Sequence, residues 1–148
     1  MVCPAGLARS LRRPAAASST ATLPPSAKAA LAEFMASGSF GAHIRRMRAL
    51  YQARQEALLH HARHRLDGAV ALSPSGAGLH LVGRLADGRD DRALAARIQG
   101  AAPAPLSRYF AGPVTESGLI LGYAGWDEPA LAAGVQAVAR GARQRVAP

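Results

Sequence analysis

The chain has 148 residues, enough for one domain and not comfortably two. Hydrophobic residues make up 49% and aromatics 5%, so a core is expected, built from Ala, Leu, Val and Ile. No apolar run approaches the ~20 residues of a membrane-spanning helix. The formal net charge is +9, and because Lys28 is the only lysine, the basic charge is nearly all arginine. A guanidinium grips phosphate or carboxylate through a planar fork of donors. Ala, Arg, Gly and Pro are abundant together, however, as GC-rich coding produces without a ligand. A solvated basic surface therefore accounts for the charge better than a nucleic-acid face, and no zinc spacing or aromatic-interleaved basic patch argues otherwise. Cys3 is the sole cysteine, which excludes a disulfide framework and a cysteine metal cluster and suits a cytoplasmic protein.

Residues 1–25 carry prolines, serines, Arg9, Arg12 and Arg13, and no acid. They read as a disordered linker or a truncated start, ahead of a folded domain over residues 26–146. A basic, serine-containing targeting segment is the competing reading. Ser26 to Ala36 predicts a short helix: Pro24 and Pro25 precede it, Ser26 can cap it, and Leu31, Phe34 and Met35 give it an apolar side. Gly38 stops it, and Ser39 can cap the next helix. Ser39 to Leu66 predicts one long amphipathic helix. Phe40, Ile44, Met47, Tyr51 and Leu58, widened by Leu50 and Leu59, form a stripe expected to be buried. The helix should end near Asp67 and Gly68.

Val70 to Leu72 predicts a short strand, and Ser73 to Gly78 is turn chemistry. Leu79 to Leu85 alternates, with Leu79, Leu81 and Leu85 on one side and His80, Val82 and Arg84 on the other. The two runs are expected to pair as an antiparallel hairpin. Asp91 to Gln99 predicts a helix with Leu94, Ala95 and Ile98 inward and Gly100 as its stop. Ala104 to Tyr109 is expected to be extended, because Pro103 and Pro105 oppose helix. Gly118 to Ala124 is the clearest buried strand. Asp127 then fits the N-cap of a final helix, with Trp126 and Leu131 at staple positions and Leu131, Val135 and Val138 inward. Arg140, Arg143 and Arg145 lie near its C-terminus, where cations are favourable. The predicted order is α-α-β-β-α-β-β-α, an α/β fold.

Residues able to carry chemistry are few. No Ser/His/Asp arrangement, GxSxG or P-loop occurs. His60, His61 and His64 cluster on the long helix, and His60 and His64 stand four apart, but no carboxylate follows at a usable spacing. Exposed helix histidines are the simpler reading, and no catalytic or metal-ligating residue is assigned. His80 reads as an interior or edge histidine. Arg108, in Pro105-Leu106-Ser107-Arg108-Tyr109-Phe110, is placed to grip a planar anion at a strand end stiffened by proline. Read from spacing alone, a surface pairing with Glu116 explains it better.

Four segments change that weighing: EFMASGSFGAHIRRMRALYQARQEALL, GAGLHLVGRL, APLSRYFAG and GLILGYAGWDEPALAAGVQAVA. In this order they resemble the C-terminal part of the MocR-type transcriptional regulators. Those proteins fuse a winged helix-turn-helix of the GntR type to a domain with the type I aminotransferase fold, which binds pyridoxal phosphate. The resemblance covers about residues 22–142 and implies the small domain of that fold. Arg108 matches the arginine of the family's S-R-[YF] segment, so its implied role is to bind the α-carboxylate of an amino-acid effector or substrate. Lys28 does not match the family's S-x-S-K segment, so the Schiff-base lysine is absent from this chain and no cofactor-binding residue is assigned. The large domain and the DNA-reading domain are also unmatched. The resemblance thus implies a fragment, inactive alone, whose partners are a missing large domain or a homodimer partner, with DNA reached only through an absent winged helix-turn-helix and no membrane. Two alternatives stand beside the regulator: a piece of a genuine aminotransferase of the aminoadipate kind, and a small basic nucleic-acid-binding module.

Overall fold

The computed structural model describes residues 24–66 and 68–144. Most of the expected linker or truncated start, Asp67 and Arg145 lie outside the described residues. Among the described residues, four helices, a four-stranded sheet and one 3-10 turn occur in the expected order. They are α1 (Pro25–Ala36), α2 (Ser39–Arg65), β1 (Val70–Leu72), β2 (His80–Leu85), α3 (Asp91–Arg97), β3 (Ala104–Pro105), the 3-10 turn (Leu106–Tyr109), β4 (Gly118–Gly122) and α4 (Glu128–Arg143). The chain divides into two compact units between Ile44 and Arg45.

In the first unit, Pro24 rather than Ser26 holds the N-cap position of α1, with Pro25 opening the helix and no side-chain cap. Proline at the first helical position has no N–H to leave unpaired, and the Ala27 N–H donates to the Pro24 carbonyl at 3.0 Å instead of to a capping side chain. Ser37 is the C-cap of α1 at the α1–α2 corner. Its Oγ donates to the Phe34 carbonyl at 3.1 Å and accepts from the Ser39 N–H at 3.4 Å, so Ser39 begins α2 instead of capping it. Phe34 and Phe40 meet edge-on at 6.1 Å. Leu31, Phe34, Met35 and Phe40 are nonetheless exposed.

The second unit is built on an antiparallel sheet of order β1-β2-β4-β3. Val70 faces Leu85, Leu81 faces Leu121 and Ala104 faces Ile120. The alternation expected along β2 holds, with Leu81 and Leu85 buried and His80 and Arg84 exposed. Leu79 falls before the strand and is exposed. Leu81, Leu119, Leu121 and Tyr123 meet Leu94 and Ile98 from the α3 segment and Leu131, Val135 and Val138 of α4 in one core. Each of its fully buried leucines stabilises the fold by ~1.5–3 kcal/mol relative to exposure. Asp127 caps α4 by accepting from the Ala130 N–H at 3.0 Å. Trp126 stays exposed while Leu131 is buried.

Three further expectations need correction. Only Leu58, Leu59 and Ala62 of α2 are buried and Leu50 is exposed, because a core behind strands of two to six residues covers only the last turns of the helix within the second unit; Phe40, in the first unit, is exposed as well. The helix expected over residues 91–99 ends at Arg97, since Ile98 turns to extended backbone to reach the core. The stretch 104–109 is extended only over Ala104–Pro105 and then closes into a 3-10 turn. Among the described residues, no helix is long and apolar enough to cross a membrane.

Candidate functional site

The site grows from one buried carboxylate. Two aspartates stand at the start of α3, and Asp90 alone does the capping, accepting from the N–H groups of Arg92 at 2.8 Å and Ala93 at 3.2 Å. Asp91 is therefore free to turn inward, and it is 2% exposed. Its Oδ2 accepts from the Ser107 N–H at 2.8 Å and from the Gly118 N–H at 3.1 Å, and its Oδ1 accepts from the Ser107 hydroxyl at 2.5 Å. Arg92 donates its Nε to the same hydroxyl at 3.1 Å. Burial pushes the Asp91 carboxyl up, but these hydrogen bonds and the Arg92 charge outweigh it and hold the group below the ordinary value of 3.8. α3, the 3-10 turn and the first residue of β4 are thus tied to one point.

Gly118 fits there because nothing larger does. A Cβ at this position would lie 2.7 Å from the Gly83 carbonyl oxygen and 3.1 Å from a Leu106 methyl.

Arg108 follows Ser107 on the 3-10 turn, and not at a strand end as its prolines suggested. Its side chain is exposed, and among the described residues it takes no ion-pair or hydrogen-bond partner. Glu116 is not that partner, since it pairs with Arg84 at 2.9 Å. Tyr109, the next residue, lines a cavity of about 710 Å³ in the second unit. The cavity is walled mainly by apolar groups, including Leu58, Ile120, Leu131 and Val135, with His80, Tyr109 and Trp126 as its polar-capable side chains. Arg108 does not itself line this cavity.

A second polar network fixes the hairpin loop on the same unit. Gln55 of α2 donates to the Ser75 carbonyl and accepts from the Ser75 N–H, at 3.0 and 3.1 Å. It also donates to the Tyr123 hydroxyl at 3.1 Å, which in turn donates to the Gly78 carbonyl at 2.9 Å. Gly78 has φ +100, a conformation that favours glycine. Arg54 donates to the Ala124 carbonyl beside it.

The histidine cluster holds together differently from its spacing. The rings of His60 and His64 meet at 4.6 Å, and His61 lies 3.5 Å from Glu128 without forming a hydrogen bond to it. Arg65 lies 2.7 Å from the Nδ1 of His61. Among the described residues no three metal-ligating side chains come together. His80 is exposed at the cavity edge. The residue that sequence reasoning missed is Asp91. Its signal was the doubled acid at a helix start, where one carboxylate suffices for the cap.

No family model matches the chain. It is 38% identical over 113 residues to the Probable rhizopine catabolism regulatory protein MocR of Rhizobium meliloti, covering 75% of this chain and 23% of that protein. It is 30% identical over 109 residues to the Uncharacterized HTH-type transcriptional regulator YhdI of Bacillus subtilis (strain 168), covering 72% of this chain and 23% of the relative. The chain thus spans about a quarter of the length of these curated relatives. Among solved structures it resembles LysN, the alpha-aminoadipate aminotransferase of Thermus thermophilus complexed with N-(5'-phosphopyridoxyl)-L-leucine. The TM-score is 0.68 and the identity 26%, over 75% of this chain and 29% of that one. The Pyrococcus horikoshii kynurenine aminotransferase gives a TM-score of 0.69 at 21% identity, over 74% of this chain and 28% of that one, a likeness of fold. Lys28, the sole lysine, is exposed on α1, and the residues lining the cavity include no lysine, so they do not offer the covalent anchor that pyridoxal phosphate takes. By sequence the chain groups with the MocR-type regulators, and by fold with their C-terminal aminotransferase-like domain.

Proposed function

We propose that this chain supplies the carboxylate-binding part of an amino-acid site in a MocR-type regulator, with Arg108 as the clamp. The observation that carries this reading is an exposed guanidinium without a partner among the described residues, on a turn whose backbone is fastened by a buried carboxylate. A bidentate guanidinium–carboxylate pair is worth two charge-assisted hydrogen bonds, each ~1.5–3 kcal/mol once water is excluded. Pyridoxal phosphate would be held by residues outside this chain, and the DNA-reading domain would lie outside it as well. The phosphopyridoxyl-leucine of the LysN structure supports an amino acid as the ligand class. Greater identity to the two regulators than to the two aminotransferases favours an effector over a substrate.

The test is a chimera in which this chain replaces the matched segment of the Rhizobium meliloti regulator. Amino-acid binding is measured by calorimetry across a panel of amino acids. Arg108→Ala is expected to weaken binding of the preferred amino acid by at least tenfold, about 1.4 kcal/mol. Equal affinity in the variant would remove Arg108 from the site.

A further inference from the structure

The geometry points to Asp91 as a positioning residue: it fixes the Ser107–Arg108 turn against β4 and so preorganises the Arg108 guanidinium for a carboxylate. This rests on the reading of Arg108 given above, but its evidence is separate.

The helix does not need Asp91. Asp90 already caps the start of α3, accepting from the N–H groups of Arg92 and Ala93. A second carboxylate buried to 2% exposure costs desolvation unless its oxygens are satisfied. Here they are, by three donors from two distant segments, Ser107 sixteen residues on and Gly118 twenty-seven. An ionised carboxylate only accepts, which suits three converging donors. Asparagine would present an NH₂ to one of them. Arg92 completes the arrangement from outside by donating to the Ser107 hydroxyl. The hydrogen bonds of Asp91 go to Ser107 and Gly118 and none to Arg108, so the carboxylate holds the turn without pairing with the guanidinium.

The consequence for binding is entropic. An arginine on a free loop must order its backbone when it captures a ligand, and that ordering subtracts from affinity. Ser107 is fixed through both its N–H and its hydroxyl, so the backbone leading into Arg108 is already ordered.

The test uses the whole 148-residue chain, ¹⁵N-labelled, with L-leucine as the probe. Backbone relaxation at residues 107–110 and the Arg108 side-chain Nε–Hε resonance are followed in the wild type, Asp91→Asn and Ser107→Ala. The wild-type turn is expected to be rigid, with an order parameter of ~0.85, and Asp91→Asn to lower it below ~0.6 while β2 and β4 stay rigid. The L-leucine affinity read at Arg108 is expected to fall at least fivefold in Asp91→Asn, and by less in Ser107→Ala, which keeps the backbone bond. Should Asp91→Asn unfold the chain, Ser107→Ala decides alone: reduced turn order supports the inference, and an unchanged turn overturns it. A rigid turn in folded Asp91→Asn with unaltered affinity overturns it too. If wild-type Arg108 does not respond to L-leucine, the carboxylate clamp fails, and the relaxation data still decide whether Asp91 anchors the turn.

Discussion

Gly118→Ala probes the architecture beneath the site. The new methyl would sit 2.7 Å from the Gly83 carbonyl oxygen, a backbone atom held in the β2–β4 ladder, and 3.1 Å from Leu106. Neither neighbour can give way freely: the carbonyl is fixed by its strand, and Leu106 opens the turn that carries Arg108. Overpacking of this kind costs ~1–3 kcal/mol. Replacing glycine in a strand recovers part of that by restricting the unfolded chain, ~0.4–1 kcal/mol. The net expectation is a loss of about 1.3 kcal/mol, the difference between the midpoints of those two ranges. The control is Gly125→Ala, where a Cβ would meet nothing within 4 Å, expected to be neutral or slightly stabilising. Urea unfolding of the three proteins, followed by circular dichroism, gives both differences. A Gly118→Ala protein as stable as the wild type would refute the register that brings Gly83, Leu106 and Gly118 together.

Three further outcomes are expected. Because the fold holds the Asp91 carboxyl below 3.8, its contribution is present above that pH and is lost as pH falls through the lower folded value; the stability gap between wild type and Asp91→Asn in urea should therefore narrow below about pH 4. Asp87 is also held down, first by its hydrogen bond to Arg89, but it is exposed, where ion pairs contribute little; a gap that stays constant with pH would contradict the assignment to Asp91. Leu94→Ala, at a fully buried position, should cost ~2–5 kcal/mol in the same assay, and a loss under ~1 kcal/mol would place Leu94 outside the core. Tyr123→Phe removes a hydroxyl that joins Gln55 to Gly78 and should cost ~1 kcal/mol, with faster amide exchange in the 73–79 loop; unchanged exchange would show that the loop is held by other means.

The order of elements was legible because each leaves a local mark. Alternation marks β2, the continuous apolar run marks β4, and Asp127 with Leu131, Val135 and Val138 marks α4. What local marks do not give is coverage. The stripe on α2 shows which face is apolar, but how far burial extends depends on how much sheet and helix are available to lie on it, and only the last turns are covered. The 3-10 turn was hidden for a related reason. Pro103 and Pro105 constrain themselves and the residues before them, so they fixed Ala104 as extended and left residues after Pro105 open. The group that holds that turn, Asp91, lies sixteen residues earlier in the chain. The segment around Arg108 marks it out in the sequence, whereas its freedom from Glu116 depends on a contact distant in sequence, the Arg84–Glu116 pair.

The most direct measurement is a pair of titrations of the arginine-labelled chain, one with L-leucine and one with leucinol, which keeps the amine and side chain and lacks the carboxylate. The Arg108 Nε–Hε resonance is predicted to move saturably with L-leucine and to stay still with leucinol. Equal movement with both, or the same L-leucine response in the other exposed arginines as in Arg108, would contradict a carboxylate site at this residue.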